Sequence, residues 1–277
     1  MSPIFVTKST GEQEAFDPQK LVNSLRKAGA AKEQAEDILR HIERELVSGM
    51  TTTEIYRHAF SFLRHSAQPV AARYSMKRAI ADLGPNGFPF EKFIAEIFKA
   101  HGYEALTGQI VQGGCVEHEV DVVAWKGSEL VMVEAKFHNE PGLKSDLKVA
   151  LYVKARYDDL KTQTFEYGGK KRKITLFQLF TNTKFTDTAI RYASCQGLSL
   201  VGWNYPRKGS LEDLVSDTGL HPLTSLTTLT HTEKRTLLDA GLVLCKQVAN
   251  RRDSLESYGI PSNKIKQVLA EIDHLCA

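Results

Sequence analysis

With 277 residues, 42% of them hydrophobic and 25% charged, the chain is long enough for two or three domains with real cores. The 36 Lys and Arg against 33 Asp and Glu leave a net charge of +3, so no global basic field marks a nucleic-acid binder, and any such surface must be local. The sequence has no apolar run of about 18 residues, no signal peptide and no CxxC pair among Cys115, Cys195, Cys245 and Cys276. That pattern predicts a cytoplasmic protein without a membrane span, and argues against a zinc ribbon or redox motif.

Residues 4–16 read as two short strands joined by a turn at Thr10 and Gly11. Asp17 and Pro18 then open a helix as N-cap and N1. Leu21, Val22, Leu25 and Ala28 continue it at helical spacing. A second helix carries Ala35, Ile38, Leu39, Ile42 and Leu46. A third starts at Thr51-Thr52-Thr53-Glu54, a capping sequence, and a fourth runs through Val70, Ala71, Tyr74 and Ile80. Gly84-Pro85-Asn86-Gly87 punctuates the end of this segment and sets the first domain at 1–84.

The order Val6-Thr7-Lys8, Gly11, Glu14, Phe16-Asp17, Lys20-Leu21 and Thr52-x-Glu54-Ile55 resembles the ATP cone. This is the regulatory nucleotide-binding domain of ribonucleotide reductases and of their transcriptional repressor. The resemblance spans nearly all of residues 4–82. It implies ATP or dATP under the β cap, with Val6 against the base, Lys8 and Lys20 on the phosphates and Thr52 near the base. Tyr74 and Lys77 are weaker carry-overs. The family usually has an arginine after the lysine; here the run is Lys8-Ser9-Thr10-Gly11, one phosphate contact fewer. No G-x4-GK[ST] loop occurs, so the nucleotide is expected to act as an effector rather than a fuel.

The next domain is set at 86–220. Residues 88–101 read as a helix buried through Phe90, Phe93, Ile94, Ile97 and Phe98. Glu91 stands at the border of that stripe and Glu96 further out. A strand follows within 103–112, then a hairpin over 119–137 whose tight turn is Gly127-Ser128. With the turn there, Lys126 meets Glu129 and Asp121 meets Glu134. Period-two alternation puts Glu134 and Lys136 on one face. Opposed carboxylates about 5 Å apart repel, and a divalent cation held by oxygen relieves this. Further on, a helix is predicted over 142–161 with a basic surface from Lys144, Lys148, Lys154 and Arg156. A buried strand at 174–181, a helix at 185–195 and a strand at 198–203 complete the segment. The basic turn 168–173 is read equally as a DNA-backbone contact or a solvated tip. Asn182 and Lys184, at the carboxyl end of a buried strand, are candidate substrate contacts. His118 and His138 stay outside the catalytic set.

Asp121, twelve residues, then Glu134-Ala135-Lys136 resembles the PD-(D/E)xK nucleases, in the branch of Mrr-type restriction endonucleases; Val120 stands where the family has Pro. The order αβββαβ, with a mixed sheet, fits that core. The resemblance implies Mg²⁺ or Mn²⁺ on Asp121, Glu134 and the carbonyl of Ala135. It also implies Lys136 orienting or deprotonating the attacking water, with Glu91 in support.

Residues 221–277 read as a small helical tail. Its two helix–Gly turns, at Gly241 and Gly259, are similar to a degenerate helix-hairpin-helix unit offering backbone N–H groups to phosphates. The chain is thus expected to be a multidomain α/β protein: a mostly helical cone with a β cap, a restriction-endonuclease-like core and a helical tail. The function expected is metal-dependent hydrolysis of DNA, regulated by nucleotide, and cutting both strands implies a homodimer or larger assembly. The rival readings are a structure-specific nuclease such as a junction resolvase, and a non-catalytic nucleotide-responsive DNA-binding regulator.

Overall fold

The computed structural model describes residues 3–276 apart from Ser9 and Pro141. Ser9, where the cone's arginine is missing, therefore lies outside the described residues. The β cap consists of β1 (Phe5–Thr7) and β2 (Gln13–Ala15), paired antiparallel. Four helices follow: α1 (Pro18–Lys27), α2 (Lys32–Glu45), α3 (Thr52–Ser66) and α4 (Gln68–Ala81). The starts of α1 and α3 are written in the sequence. Asp17 accepts from the Gln19 N–H at 2.9 Å, and Thr51 and Glu54 form a reciprocal capping box. Leu25, Ala35, Ile38, Ile42, Ala59 and Leu63 fill the core between them. The loop between α2 and α3 is tied to the cap: the Thr7 N–H donates to Met50 O at 3.0 Å and the Gly49 N–H to Phe5 O at 2.8 Å.

The second body begins with α5 (Phe88–Ala100), then β3 (Glu104–Gln112), β4 (Glu117–Lys126) and β5 (Glu129–Lys136). β6 (Lys144–Ser145) precedes α6 (Leu147–Leu160), and β7 (Phe165–Tyr167) pairs with β8 (Lys170–Arg172). β9 (Leu176–Thr181), β10 (Lys184–Phe185), α7 (Asp187–Gln196), β11 (Ser199–Val201) and α8 (Leu211–Thr218) complete it. A five-stranded sheet runs in the order β11-β9-β5-β4-β3. The pairs among β3, β4 and β5 are antiparallel and those of β9 with β5 and β11 are parallel, so the sheet is mixed as expected.

The hairpin register is the one the turn dictates: Lys126 pairs with Glu129 and Val122 with Val133, around Gly127 at φ 58°. Several ends differ from the sequence reading. The helix predicted from residue 142 starts at Leu147, because Asp146 caps it and Lys144 and Ser145 pair with β10. The helix predicted from 185 starts at Asp187, with Thr186 as N-cap and Phe185 in that short parallel pair.

One irregularity matters for the site. The β3–β4 ladder is registered on both sides of Gly108 and Asp121 but not at that pair, and Gly108 has φ 61°. Across it the strand pair changes sides. Ala105 and Val122 pack in the core under α5, whereas Val111 and Val120, of the same parity, pack in the core under α6. A left-handed residue inside a strand disturbs the pleat, and glycine adopts that conformation without a Cβ clash.

Residues after α8 form α9 (His231–Asp239), α10 (Cys245–Ala249) and α11 (Ser262–Cys276). Their apolar residues join one core with α4, α5 and the sheet, including Met76, Ile80, Leu83, Phe90, Phe93, Leu237, Leu242, Leu255 and Ile272. The glycine turns are not free for phosphate. The Gly241 N–H donates to Leu238 O at 2.8 Å at the end of α9, and the Gly259 N–H donates to Glu256 O at 2.9 Å at the end of a 3₁₀ helix, Arg252–Tyr258. Polar ties reinforce the junction: Thr224 Oγ1 donates to Ala79 O at 2.5 Å and Arg235 Nη1 to Gly84 O at 2.7 Å.

Asp159, at the end of α6, holds the connection between β3 and β4. Its carboxylate accepts the N–H groups of Cys115 at 2.8 Å and Val116 at 3.3 Å, and lies 2.8 Å from His118 Nε2. The His118 hydrogen bond foremost holds its pKa down to about 2. A carboxyl depressed in this way stabilises the fold above its unfolded value of about 3.9, and that contribution is lost as pH falls toward 2. Asp159→Ala should therefore lower the thermal midpoint at pH 7, by a margin that closes in acid. Equal midpoints at pH 7 would show that the turn stands without Asp159.

Candidate active site

β4 and β5 carry the acids, and the irregularity at Gly108 frees one of them. Asp121, out of the regular ladder, turns its carboxylate to the neighbouring strand, where the Ala135 N–H donates to Oδ2 at 2.6 Å. Glu134 and Lys136 follow at the end of β5 where it runs beside β9, Glu134 level with Leu179 and Lys136 with Thr181. Glu91, in the first turn of α5, lies near enough to feel the charges of Asp121, Glu119 and Glu134.

Burial raises these acids, and each also feels the charge of its neighbours. Burial, then the Asp121 carboxylate, pushes Glu134 up to about 7. Burial, then Asp121, Glu119 and Glu134 in that order, pushes Glu91 up to about 7. Burial also raises Asp121, opposed by the Ala135 hydrogen bond. Among the described residues Lys136 is exposed and forms no ion pair.

Two residues of this site escaped the sequence reading. Arg156, expected on a basic helix surface, is buried on α6, with Nη1 paired to Glu134 Oε2; the two side chains are 9% and 19% exposed. Its Nε is buried without a hydrogen-bond partner. The signal was present: Arg156 stands on the stripe of Ala150, Val153 and Leu160, all buried, and a charge on a buried stripe needs a partner. Glu119, two residues before Asp121, adds its charge to Glu91, Asp121 and Glu134.

Several expected contacts are engaged elsewhere. Asn182 clamps the chain after β5, accepting the His138 N–H at 2.8 Å and donating to His138 O at 2.9 Å. His138 Nε2 lies 3.0 Å from Ser145 Oγ. In the basic turn, Arg172 is buried and donates to the carbonyls of Gly127, Tyr167 and Lys170, so it is a brace rather than a DNA contact.

In the cone, Val6 is buried at the centre of the core. Lys8 and Lys20 converge on one acid: Lys8 Nζ is 3.0 Å and Lys20 Nζ 3.4 Å from Glu14 Oε2. Glu14, then Glu12, raises the Lys8 pKa, and Lys8 in turn lowers that of Glu14. Thr52 is the first residue of α3, next to Thr51, which bridges to Thr7. Tyr74 stacks on Tyr56 with ring centroids 5.3 Å apart. Lys77 faces the other way: it feels Lys184 and Glu212 of the second body, and burial lowers its pKa.

Residues 4–83 match the ATP cone domain, residues 85–204 the restriction endonuclease family, and residues 221–276 the AF1548-like C-terminal family. An uncharacterized protein of Archaeoglobus fulgidus is 40% identical over 182 residues, which is 64% of this chain and 97% of that protein. The crystal structure of a protein of unknown function, AF1548, is similar with a TM-score of 0.57 and 38% identity, over 69% of this chain and 98% of that one. Protein VC1899 from Vibrio cholerae is more distant, with 15% identity and a TM-score of 0.33 over 72% of this chain and 55% of its own. The chain therefore belongs to the AF1548-like family, a restriction endonuclease domain with an AF1548-like C-terminal region, here preceded by an ATP cone domain.

Proposed function

We propose that the protein is a metal-dependent endodeoxyribonuclease whose activity is set by ATP or dATP bound to the cone. The observation that carries this reading is the mutual charge coupling of half-buried Glu91, Asp121 and Glu134 near Lys136, which with burial pushes Glu91 and Glu134 up to about 7. A site that forces carboxylates together against burial and mutual repulsion suits a cation. The donors are carboxylate and carbonyl oxygens, the set a hard ion such as Mg²⁺ prefers. Asp121, Glu134 and the Ala135 carbonyl would hold it. Bound there, a divalent ion supplies charge neutralisation at the phosphate and a more acidic water.

The chain's own groups do the rest. The Ala135 N–H fixes the Asp121 carboxylate in one orientation. Arg156 balances the Glu134 charge from below. Lys136 would present its amine to the phosphate, orient or deprotonate the water and stabilise charge as it develops. The decisive experiment is incubation of methylated and unmethylated plasmid with Mg²⁺ or EDTA, with and without ATP and dATP. Cleavage that needs Mg²⁺ and changes with nucleotide is expected; intact plasmid under every condition would overturn the proposal.

The cone offers its own measurement. Glu14 competes with any polyphosphate for Lys8 and Lys20. Lys8→Ala and Lys20→Ala should weaken ATP or dATP binding to the full chain and remove its effect on cleavage, an effect bounded at about 5- to 150-fold by ordinary coupling energies. Glu14→Gln should tighten binding, by no more than about fivefold, since exposed ion pairs are weak. Calorimetry giving tighter binding for the lysine variants, or weaker for Glu14→Gln, would reject the assignment.

A further inference from the structure

Away from the proposed active site, the described residues bring three metal-ligating side chains together in one place. His41 and Glu45 stand one turn apart on α2, and His58 stands on α3. One ligand atom from each lies within 4.8 Å of the others. His58 Nδ1 is 2.7 Å from Glu45 Oε2, and His41 Nε2 is 3.6 Å from Glu45 Oε1, so the carboxylate turns one oxygen to each imidazole.

We propose that His41, Glu45 and His58 form a second metal site, on the cone, for a divalent transition metal of the zinc class. Three arguments carry it. The first is chemical: two imidazole nitrogens and one carboxylate are the donors of open zinc sites, whereas Mg²⁺ takes oxygen. The second is metric: tetrahedral bonds of 2.0–2.1 Å set ligand atoms roughly 3.3 Å apart, and with one ligand atom of each residue already within 4.8 Å of the others, side-chain rotation alone reaches that spacing. The third is preorganisation. The i, i+4 spacing puts His41 and Glu45 on one helix face. The ring of Phe62 packs against His41 with centroids 5.7 Å apart. The side chains are 36–42% exposed, so an ion reaches them directly from solvent. Three protein ligands leave a fourth position for water.

The position gives the site a consequence. Glu45 is the last residue of α2 and His58 lies within α3. An ion between them closes the intervening loop at its base. That loop holds β1 through Thr7 and Phe5, next to Lys8. Metal bound here therefore stiffens the cap on which the nucleotide lysine sits.

The test uses the full chain carrying Asp121→Ala and Glu134→Gln, so that the acidic cluster contributes no binding. Co²⁺ should bind with one equivalent and visible d–d absorption, and Zn²⁺ should displace it and raise the melting temperature. His41→Ala and His58→Ala, exposed changes that leave far-UV circular dichroism unaltered, should each weaken Co²⁺ by more than about tenfold, since even groups one shell further out cost that much. They should also abolish the melting shift. Co²⁺ affinity unchanged in both histidine variants, or no binding at micromolar Zn²⁺, would overturn the site.

Discussion

Asp121→Ala, Glu134→Ala and Lys136→Ala should each cut Mg²⁺-dependent DNA cleavage by at least about 100- to 1,000-fold, the usual loss when a preorganised charge-stabilising group is removed. DNA binding should be nearly intact. The two carboxylates repel phosphate rather than hold it, and Lys136 is one amine among several phosphate contacts. A simple fold defect would lower binding and cleavage together, so the split between the two is what identifies the site. Glu134→Ala carries a second signature, because it leaves the buried Arg156 without its partner. Glu134→Gln is the gentler control, keeping an acceptor for Arg156. Undiminished cleavage by any of the three variants, assayed on plasmid alongside a gel-shift measurement, would remove that residue from the proposed chemistry.

The metal-free protein should lose stability as pH rises from about 4.5 to 7, and Mg²⁺ should return it. Glutamate in an unfolded chain ionises near 4.3, whereas Glu91 and Glu134 in the folded protein hold their protons up to about 7. Between those values the unfolded state has released protons that the native state keeps, so raising the pH favours unfolding. For the well-buried Glu134 the loss by pH 8 is on the order of 2 kcal/mol. This follows from about 1.4 kcal/mol per pH unit between the folded and unfolded ionisation midpoints, discounted for its solvent contact and its Arg156 partner. The trend runs opposite to the acid loss from Asp159, and the two windows do not overlap. Urea melts at pH 5, 6, 7 and 8, with and without Mg²⁺, would resolve it. The slope should flatten in Glu134→Gln and in the presence of Mg²⁺. Equal slopes in wild type and Glu134→Gln would mean that Glu134 ionises normally.

The hairpin was legible because local rules determine it. Gly127-Ser128 permits one tight turn and that turn leaves one register, whose ladder ends at Val122 with Val133, so the expected pairing of Asp121 with Glu134 is not part of it and Asp121 instead accepts the Ala135 N–H. The helix starts at Asp17 and Thr51 were legible for the same reason, since capping is a matter of three or four neighbouring residues. What stayed hidden depends on distant partners. Gly108 reads as an ordinary weak point in a strand until its place opposite Asp121 is known. Arg156 reads as surface charge until α6 is laid on the sheet with Glu134 beneath it. Glu14 lies six residues before Lys20, and only the packing of the cap on α1 brings it between two lysines. The two glycine turns of the tail looked like phosphate cradles because their sequence is that of a helix end, and their N–H groups close those helix ends.

The apolar mass that runs from Met76 on α4 through α5 to Ile272 on α11 makes the first and last parts of the chain mutually dependent. A protein dissected at the turn of residues 84–87 would expose Met76, Ile80 and Leu83 on one fragment and Phe90 and Phe93 on the other. Deletion of the segment after residue 220 would uncover the same helices from the opposite side. Such fragments would stick to one another or precipitate, and an inactive excised nuclease segment would report a torn interior rather than a missing activator. The same continuity puts Met76 and Ile80 of α4 in one apolar interior with Phe90 and Phe93 of α5, so the cone and the sheet share a core rather than a linker.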